Sequence, residues 1–343
     1  PDTGKKIAII GGGPCGLSAA FFLRRLGHHP TIFDSKPAFG GMARYGIPEY
    51  RLPRDILDAE IQRIVDLGVE LKTNTAVGRD IPYDDVRKAH KAVFVAIGAH
   101  QGRTMRVDGE DAEGVFRGAE FLNAANSGEP PAIGNDVIVI GGGDTAIDAA
   151  RVSKRLGAEN VTIVYRRTIE EMPAIQEEID GAEEEGIKIE FLVQPIEILL
   201  DGGKAVGMKC QRQELGEPDD SGRRRPVPVE GSEFEIKASA IIPAISQSPI
   251  FEGLDKVGNA KTWVQVDEFQ RLTGDDDGVF GGGDATNLAL VTTAIAQGRI
   301  AADTIDAYCN GEEPVAPTKK PLVGTDRVKL GFYDAKTREE PSH

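Results

Sequence analysis

Residues 5–34 read KKIAIIGGGPCGLSAAFFLRRLGHHPTIFD, in the order strand, glycine turn, helix, strand, acid. The apolar run 7–10 suits a buried parallel strand, Gly11, Gly13 and Gly16 supply G-x-G-x-x-G, and the apolar stretch through Leu26 continues as a helix. Gly11 allows a tight turn, Gly13 lets a pyrophosphate approach the backbone, and Gly16 lets the helix lie close on the sheet. The first helical N–H groups then point at the anion. A second strand over residues 31–33 ends at Asp34, where a carboxylate can accept hydrogen bonds from ribose hydroxyls.

A weaker copy begins at Asp136: DVIVIGGGDTAIDAARVSKRLGAENVTIVYRR. Residues 137–140 form its strand, Gly141, Gly143 and Ala146 hold the three fingerprint positions, and a helix runs to about Leu156. Two such units are far more specific than one. Where the first copy ends in Asp34, the second ends in Tyr165, Arg166 and Arg167. A carboxylate there would repel a 2′-phosphate, whereas a guanidinium accepts it through charge-assisted hydrogen bonds. The implied pair of ligands is FAD in the first unit and NADP(H), favoured over NAD(H), in the second. The plainer alternative makes Arg166 and Arg167 surface charges at a strand end.

The totals narrow the rest. A chain of 343 residues exceeds the size at which one core stops growing, so two domains are expected. A net charge of -15 argues against a nucleic-acid partner, because that affinity comes from Lys and Arg neutralising phosphates. Cys15, Cys210 and Cys309 make no C-x-x-C and leave an odd count, which speaks against a disulfide framework or a metal cage. With no signal segment and no long apolar run, the expectation is a cytoplasmic protein that meets no membrane. The first residue is Pro1 rather than methionine, so the expectation is that something upstream is missing or processed.

Between the two units lies SKPAFGGMARYGIPEYRLPRDI, a Gly- and Pro-rich loop placed to cover a ligand, and then a helix over 55–67 with Ile56, Leu57, Ile61, Ile64 and Val65 on its apolar face. Strands are expected over 69–72 and 93–97. After the second unit come a charged helix over 169–185, a strand over 189–193, and antiparallel strands over 205–214 and 226–237 joined by GEPDDSGRRR, with Arg223 to Arg225 in a solvated turn. A strand over 238–244 returns the chain. Residues 278–302, GVFGGGDATNLALVTTAIAQGRIAA, place Asp284 at a strand end before a helix over 290–307. Asp284 would accept from a ribityl chain, and the N–H groups near Val291 and Thr292 would face the pyrimidine end of a flavin, where a helix N-terminus favours negative charge. An ordinary turn capped by Asp284 is the simpler reading. Residues 313–343 read as a tail.

Taken together these residues resemble the two-dinucleotide-binding flavoproteins, and more narrowly the small (beta) subunit of glutamate synthase. The narrow likeness rests on Gly40-Gly41 with RYGIPEYRLP, on VYRR, on EEMPA, and on GGGDA with VTTAIAQGR. It implies an α/β fold of two Rossmann-like domains with the NAD(P)H domain, 106–246, inserted in the FAD domain, 1–105 and 247–312. It also implies FAD contacts at Gly11, Gly13, Pro14, Gly16, Asp34, Gly41, Arg51, Gly283 and Asp284, with Arg51 near the isoalloxazine. NADPH contacts fall on Gly143, Asp144, Thr145, Arg166 and Arg167. The family's cysteine-rich iron–sulfur segment before the first fingerprint is missing here, so the electron exit is expected in another chain or upstream. Thr292 and Thr293 replace a commonly apolar pair.

The expected activity is an FAD-dependent NAD(P)H oxidoreductase that passes electrons to an iron–sulfur or other redox partner within a hetero-oligomer. No catalytic side chain is required, because the cofactors carry the chemistry. The absence of paired cysteines excludes a thioredoxin-reductase-like enzyme. The rivals are a flavin monooxygenase and a non-enzymatic nucleotide-binding scaffold subunit.

Overall fold

The computed structural model describes residues 2–219, 222–257, 263–274 and 277–316. Most of the expected tail, and positions 220–221 of the GEPDDSGRRR turn, lie outside these.

The first unit contains β1 (Lys6–Ile10), α1 (Pro14–Arg25), β2 (His29–Phe33), the short α2 (Met42–Tyr45), α3 (Arg54–Asp66), β3 (Glu70–Lys72), α4 (Tyr83–Ala89) and β4 (Ala92–Val95). A two-residue strand β5 (Gln101–Gly102) and α5 (Gly118–Asn126) lead to the second unit: β6 (Asp136–Ile140), α6 (Asp144–Arg155), β7 (Asn160–Tyr165), α7 (Gln176–Glu184) and β8 (Lys188–Phe191). Three long strands follow, β9 (Val193–Asp201), β10 (Lys204–Pro218) and β11 (Arg224–Lys237), then β12 (Ala240–Pro243) and β13 (Gln247–Ser248). The chain closes with β14 (Val279–Gly281) and α8 (Val291–Asn310).

The first sheet runs β14-β4-β1-β2-β3, all parallel, so strands from both ends of the chain share it. Alternation along β1 sends Ile7 and Ile9 into a core with α1 and α8, and Ala8 and Ile10 into a second core on the opposite face. The second parallel sheet runs β12-β6-β7-β8. Its Val137 and Val139 pack with residues of α5, α6 and α7, while Ile138 and Ile140 pack on the antiparallel sheet β11-β10-β9. The two chain passages between the lobes pair with each other as the ribbon β5–β13.

Several expectations need correction. Ile56 does not face the core and is half exposed, whereas Leu57, Ile64 and Val65 pack around buried Ile61. Positions −4, +3 and +4 share a helical face with Ile61, but position −5 turns away from it. The helix expected over 169–185 is broken. A 3₁₀ turn (Ile169–Glu171), capped by a Thr168/Glu171 box, ends at Met172, which is extended at φ −72° and ψ 119° ahead of Pro173. Leu192 at φ +56° separates β8 from β9, so 189–193 is not one strand. Helix α5 falls in a stretch the sequence left without an element.

Candidate functional site

The first crevice opens at the C-terminal ends of β1, β4 and β14. Gly11 has φ +109°, and a Cβ there would lie 2.2 Å from the Ala96 carbonyl oxygen. A Cβ at Gly16 would lie 2.0 Å from the Gly11 carbonyl oxygen, so only a glycine lets α1 sit this close to the turn. Gly13 is different. It caps α1 ahead of Pro14, and the nearest atom a Cβ would meet is the Gly41 Cα at 3.6 Å. The space beside it lies at the end of a helix, where the first N–H groups lack helical partners and the dipole favours an anion. Gly41, at φ +51°, brings the second glycine turn against Gly13 and marks the edge of that space.

Asp34 accepts from the Gly12 N–H at 2.7 Å and the Lys36 N–H at 2.8 Å, one on each oxygen. Each oxygen keeps a further lone pair for a ribose hydroxyl. Burial holds the Asp34 carboxyl above its ordinary range, against the pull of those two N–H groups. Gly12 is a residue the sequence reading passed over. A side chain there would strike the Phe39 ring at 2.1 Å, and its N–H orients Asp34. The triplet G-G-G carried that signal.

Asp284 sits in the 3₁₀ turn (Gly283–Ala285) that follows β14, accepting from the Ala289 N–H at 3.3 Å, and burial raises its carboxyl. Gly283 adopts φ +69° and donates to Gln297 Oε1 at 2.7 Å. Helix α8 is seated on α1 through Gly298, where a Cβ would lie 2.2 Å from the Cys15 carbonyl oxygen, and through the Ser18 hydroxyl, which donates to the Ile295 carbonyl at 2.8 Å. Asp284 is thereby brought beside the first turn of α1, where burial and then the Asp284 charge push the Cys15 thiol up. Thr292 is exposed in the first turn of α8.

The second crevice repeats this construction. Gly141 has φ +147° with its absent Cβ 2.4 Å from the Ala244 carbonyl oxygen, as Gly11 stands to Ala96. A Cβ at Gly142 would lie 2.5 Å from the Tyr165 ring, as one at Gly12 would strike Phe39. Gly143 caps α6, and nothing lies within 4 Å of a Cβ built on it. Asp144 accepts from the Ile175 N–H at 3.0 Å, and the Ala174 N–H donates to Gly142 at 3.1 Å, so the EEMPA segment closes over the turn. Thr145 is half-buried in the same first turn of α6.

The two arginines at the end of β7 are not equivalent. Arg167 is 4% exposed, its Nε donating to the Arg224 carbonyl at 2.7 Å and its Nη2 to Asp219 at 2.6 Å. Arg166 is exposed at the strand end. Partial desolvation, then the charges of Arg167 and Arg223, pull its guanidinium below its usual value. Arg224, whose side chain is 42% exposed, opens β11 instead of lying in the turn and is ion-paired to Glu171 at 2.5 Å and Glu170 at 2.7 Å, fastening the β10–β11 hairpin to the segment after β7.

Arg51, expected at the isoalloxazine, is committed to the other lobe. Its Nη1 donates to both oxygens of Asp148 at 2.8 Å, and its Nε lies 2.9 Å from Glu178 Oε1.

Residues 5–298 match the pyridine nucleotide-disulphide oxidoreductase family. The chain belongs to that family. Among its relatives, the NADP(+)-dependent formate dehydrogenase subunit beta of Moorella thermoacetica is 44% identical over 339 residues, 97% of this chain and 48% of that protein. The glutamate synthase [NADPH] small chain of Escherichia coli is 40% identical over 327 residues, 89% of this chain and 68% of the relative. The chain therefore spans about half the length of the first and two thirds of the second. Among solved structures, Mycobacterium tuberculosis FprA in complex with NADPH superposes with a TM-score of 0.80 at 18% identity, covering 90% of this chain and 85% of that one. At that identity the likeness concerns the fold, which is the α/β arrangement of two dinucleotide-binding lobes. The disulphide of the family's name has no counterpart in this chain's three cysteines, which are all buried and free. Among the described residues no helix is long and apolar enough to cross a membrane.

Proposed function

We propose that the chain is an FAD-dependent NAD(P)H oxidoreductase module, with FAD in the first crevice and NADPH in the second. The observation that carries this is the doubled crevice. Gly13 and Gly143 cap their helices with free space beside them, whereas the glycines around them are packed against backbone or rings. A diphosphate fits where a Cβ would otherwise stand, and an N-terminal helix turn supplies the donors.

In this reading Gly11, Gly13, Pro14, Gly16 and Gly41 shape the FAD pyrophosphate turn, Asp34 accepts from the ribose, and Gly283 and Asp284 face the ribityl chain. The first turn of α8, with Thr292, supports the pyrimidine end of the ring. Gly143, Asp144 and Thr145 form the second pyrophosphate turn. Arg166 meets the 2′-phosphate, while Arg167, locked by Asp219 and Arg224, holds the strand end in place. Held by these residues, FAD would supply the acceptor for hydride from a reduced nicotinamide and the onward release of electrons. The protein's own part is to hold the two ring systems in reach and keep water out.

The FAD domain is assigned to 1–105 and 247–312 and the NAD(P)H domain to 106–246. The shared first sheet and the paired passages between lobes support this division. The relatives' names, a beta subunit and a small chain, support a role inside a hetero-oligomer whose iron–sulfur or other redox partner takes the electrons. We place the assembly in the cytoplasm on the composition of the chain. The test is anaerobic titration of the flavin-loaded chain. NADPH should bleach the flavin absorbance at far lower concentration than NADH, and no bleaching by either would leave only the scaffold role.

A further inference from the structure

Three clusters outside the glycine turns invite a role. The buried His28, held by Thr3 and Asp306, pins the N-terminus to α8 and is explained by that. The exposed apolar residues at the start of α8 border the first crevice itself. The third cluster joins the lobes. Loop 46–53 reaches across to α6 and α7 through Arg51, while Tyr50 lies under two further cations, 4.8 Å from Arg151 and 3.9 Å from Arg155. Arg151 is held in turn by Glu178 at 2.5 Å and Glu185 at 2.8 Å, and Arg155 by Glu185 at 2.6 Å.

We propose that Asp148 and Glu178 are positioning residues: by gripping Arg51 they set the second crevice at a fixed distance and angle from the first. This rests on the two-nucleotide reading above. Asp148, Arg151 and Arg155 recur at helical spacing along one face of α6, and that face is given over to the loop of the other lobe. Asp148 lies one turn beyond Asp144 and the cap Gly143, so a displacement of α6 at Asp148 is a displacement of the nucleotide turn itself. A planar guanidinium held by two carboxylates resists rotation as well as separation, which a hydrophobic contact of equal area does not.

The chemistry chosen also points to orientation rather than stability. The Asp148 side chain is only 6% exposed, and ion pairs so placed gain little over apolar packing. The groups facing Asp148 are Arg51 and Tyr50 from the loop, Asp144 from its own helix and Glu178 from α7. Burial, opposed by Arg51, raises the Asp148 carboxyl to about 6, so mild acid converts the acceptor pair into a neutral acid.

The experiment uses spin labels on the full chain at Glu60→Cys in α3 and Glu159→Cys before β7. Both positions are exposed, and the three native cysteines are buried and stay unlabelled. Pulsed electron resonance should give one dominant inter-lobe distance in the parent. Asp148→Asn and Arg51→Gln should each broaden or shift it, and Arg51→Lys should restore it in part. Acidifying the parent through pH 6 should reproduce the Asp148→Asn distribution, while Asp148→Asn itself should not respond. In anaerobic single-turnover reduction, Asp148→Asn should slow hydride transfer by about tenfold or more, the scale expected of a small misplacement, with NADPH affinity little changed. A variant with the parent's distance distribution and transfer rate would overturn the proposal, as would a rate loss matched by an equal loss of NADPH affinity. If NADPH does not bleach the parent at all, the functional reading fails, and the distance measurements still decide whether Asp148 sets the lobe orientation.

Discussion

Replacing Gly143 by alanine separates a glycine kept for a ligand from one kept for the fold. Gly143 has φ −98° and ψ 173°, extended backbone open to any residue, and a Cβ built there has no atom within 4 Å. The folded chain should therefore lose only the difference between Gly and Ala at a helix N-cap, about 0.5–1 kcal/mol. In a domain of this size that lowers the melting temperature by about 2–4 °C at most. The new methyl group stands where a diphosphate must meet the first N–H groups of α6. Charge-assisted hydrogen bonds there contribute about 1.5–3 kcal/mol each, so losing one should weaken NADPH by about 10- to 150-fold. Calorimetric titration of NADPH, alongside flavin content and thermal denaturation, measures both quantities on one preparation. Gly141→Ala is the companion, because its Cβ would lie 2.4 Å from the Ala244 carbonyl oxygen at φ +147° and should destabilise the fold by about 1–3 kcal/mol or more. Unchanged NADPH affinity in Gly143→Ala, or a stability loss equal to that of Gly141→Ala, would refute the assignment.

Arg166→Ala should cost about 1.5–3 kcal/mol of NADPH binding with NADH and stability unaffected. Arg167→Ala should instead lower stability by about 1.5–3 kcal/mol, because it removes the buried guanidinium that donates to Asp219 and to the Arg224 carbonyl. Denaturant melts with both coenzymes check the contrast, and equal behaviour of the two variants would disprove the division of labour. Gly298→Val should destabilise by about 3 kcal/mol or more and release flavin, since even a Cβ there would lie 2.2 Å from the Cys15 carbonyl oxygen. Normal flavin content at the parent's melting point would count against that packing. The Asp148 carboxyl rises from 3.8 to about 6 on folding, so the folded state binds the extra proton between those values. Its stabilising contribution is present below about pH 4 and is lost as pH rises through 6, by about 3 kcal/mol for a shift of that size. Asp148→Asn should remove this slope from stability measured between pH 4 and 7, and an unchanged slope would mean another group causes it.

Both glycine turns, their strands and the helices behind them were legible in the residues. An apolar strand, a glycine spacing and an amphipathic run are local patterns, and local sterics decide them. Gly11 and Gly16 carried their separate tasks in the sequence because each follows from a contact within the turn or with the next parallel strand. The break at Pro173 was also written there and was misread: the charge pattern over 169–185 suited a helix, but the residue before a proline avoids helical backbone.

What the sequence could not assign were tasks set by partners distant along the chain. Arg166 and Arg167 are neighbours of one type, and only the β10–β11 hairpin, which brings Asp219 and the Arg224 carbonyl onto Arg167, distinguishes them. Likewise the residues themselves marked Arg51 as part of a ligand-covering loop, yet its carboxylate partners come from helices more than ninety residues away. The duplicated unit and its chemistry were determined by short-range backbone geometry, which every fingerprint glycine encodes. Which charges meet across the lobes was decided by tertiary packing, because a side chain's partner is fixed by where the sheets place their helices and not by its sequence neighbours.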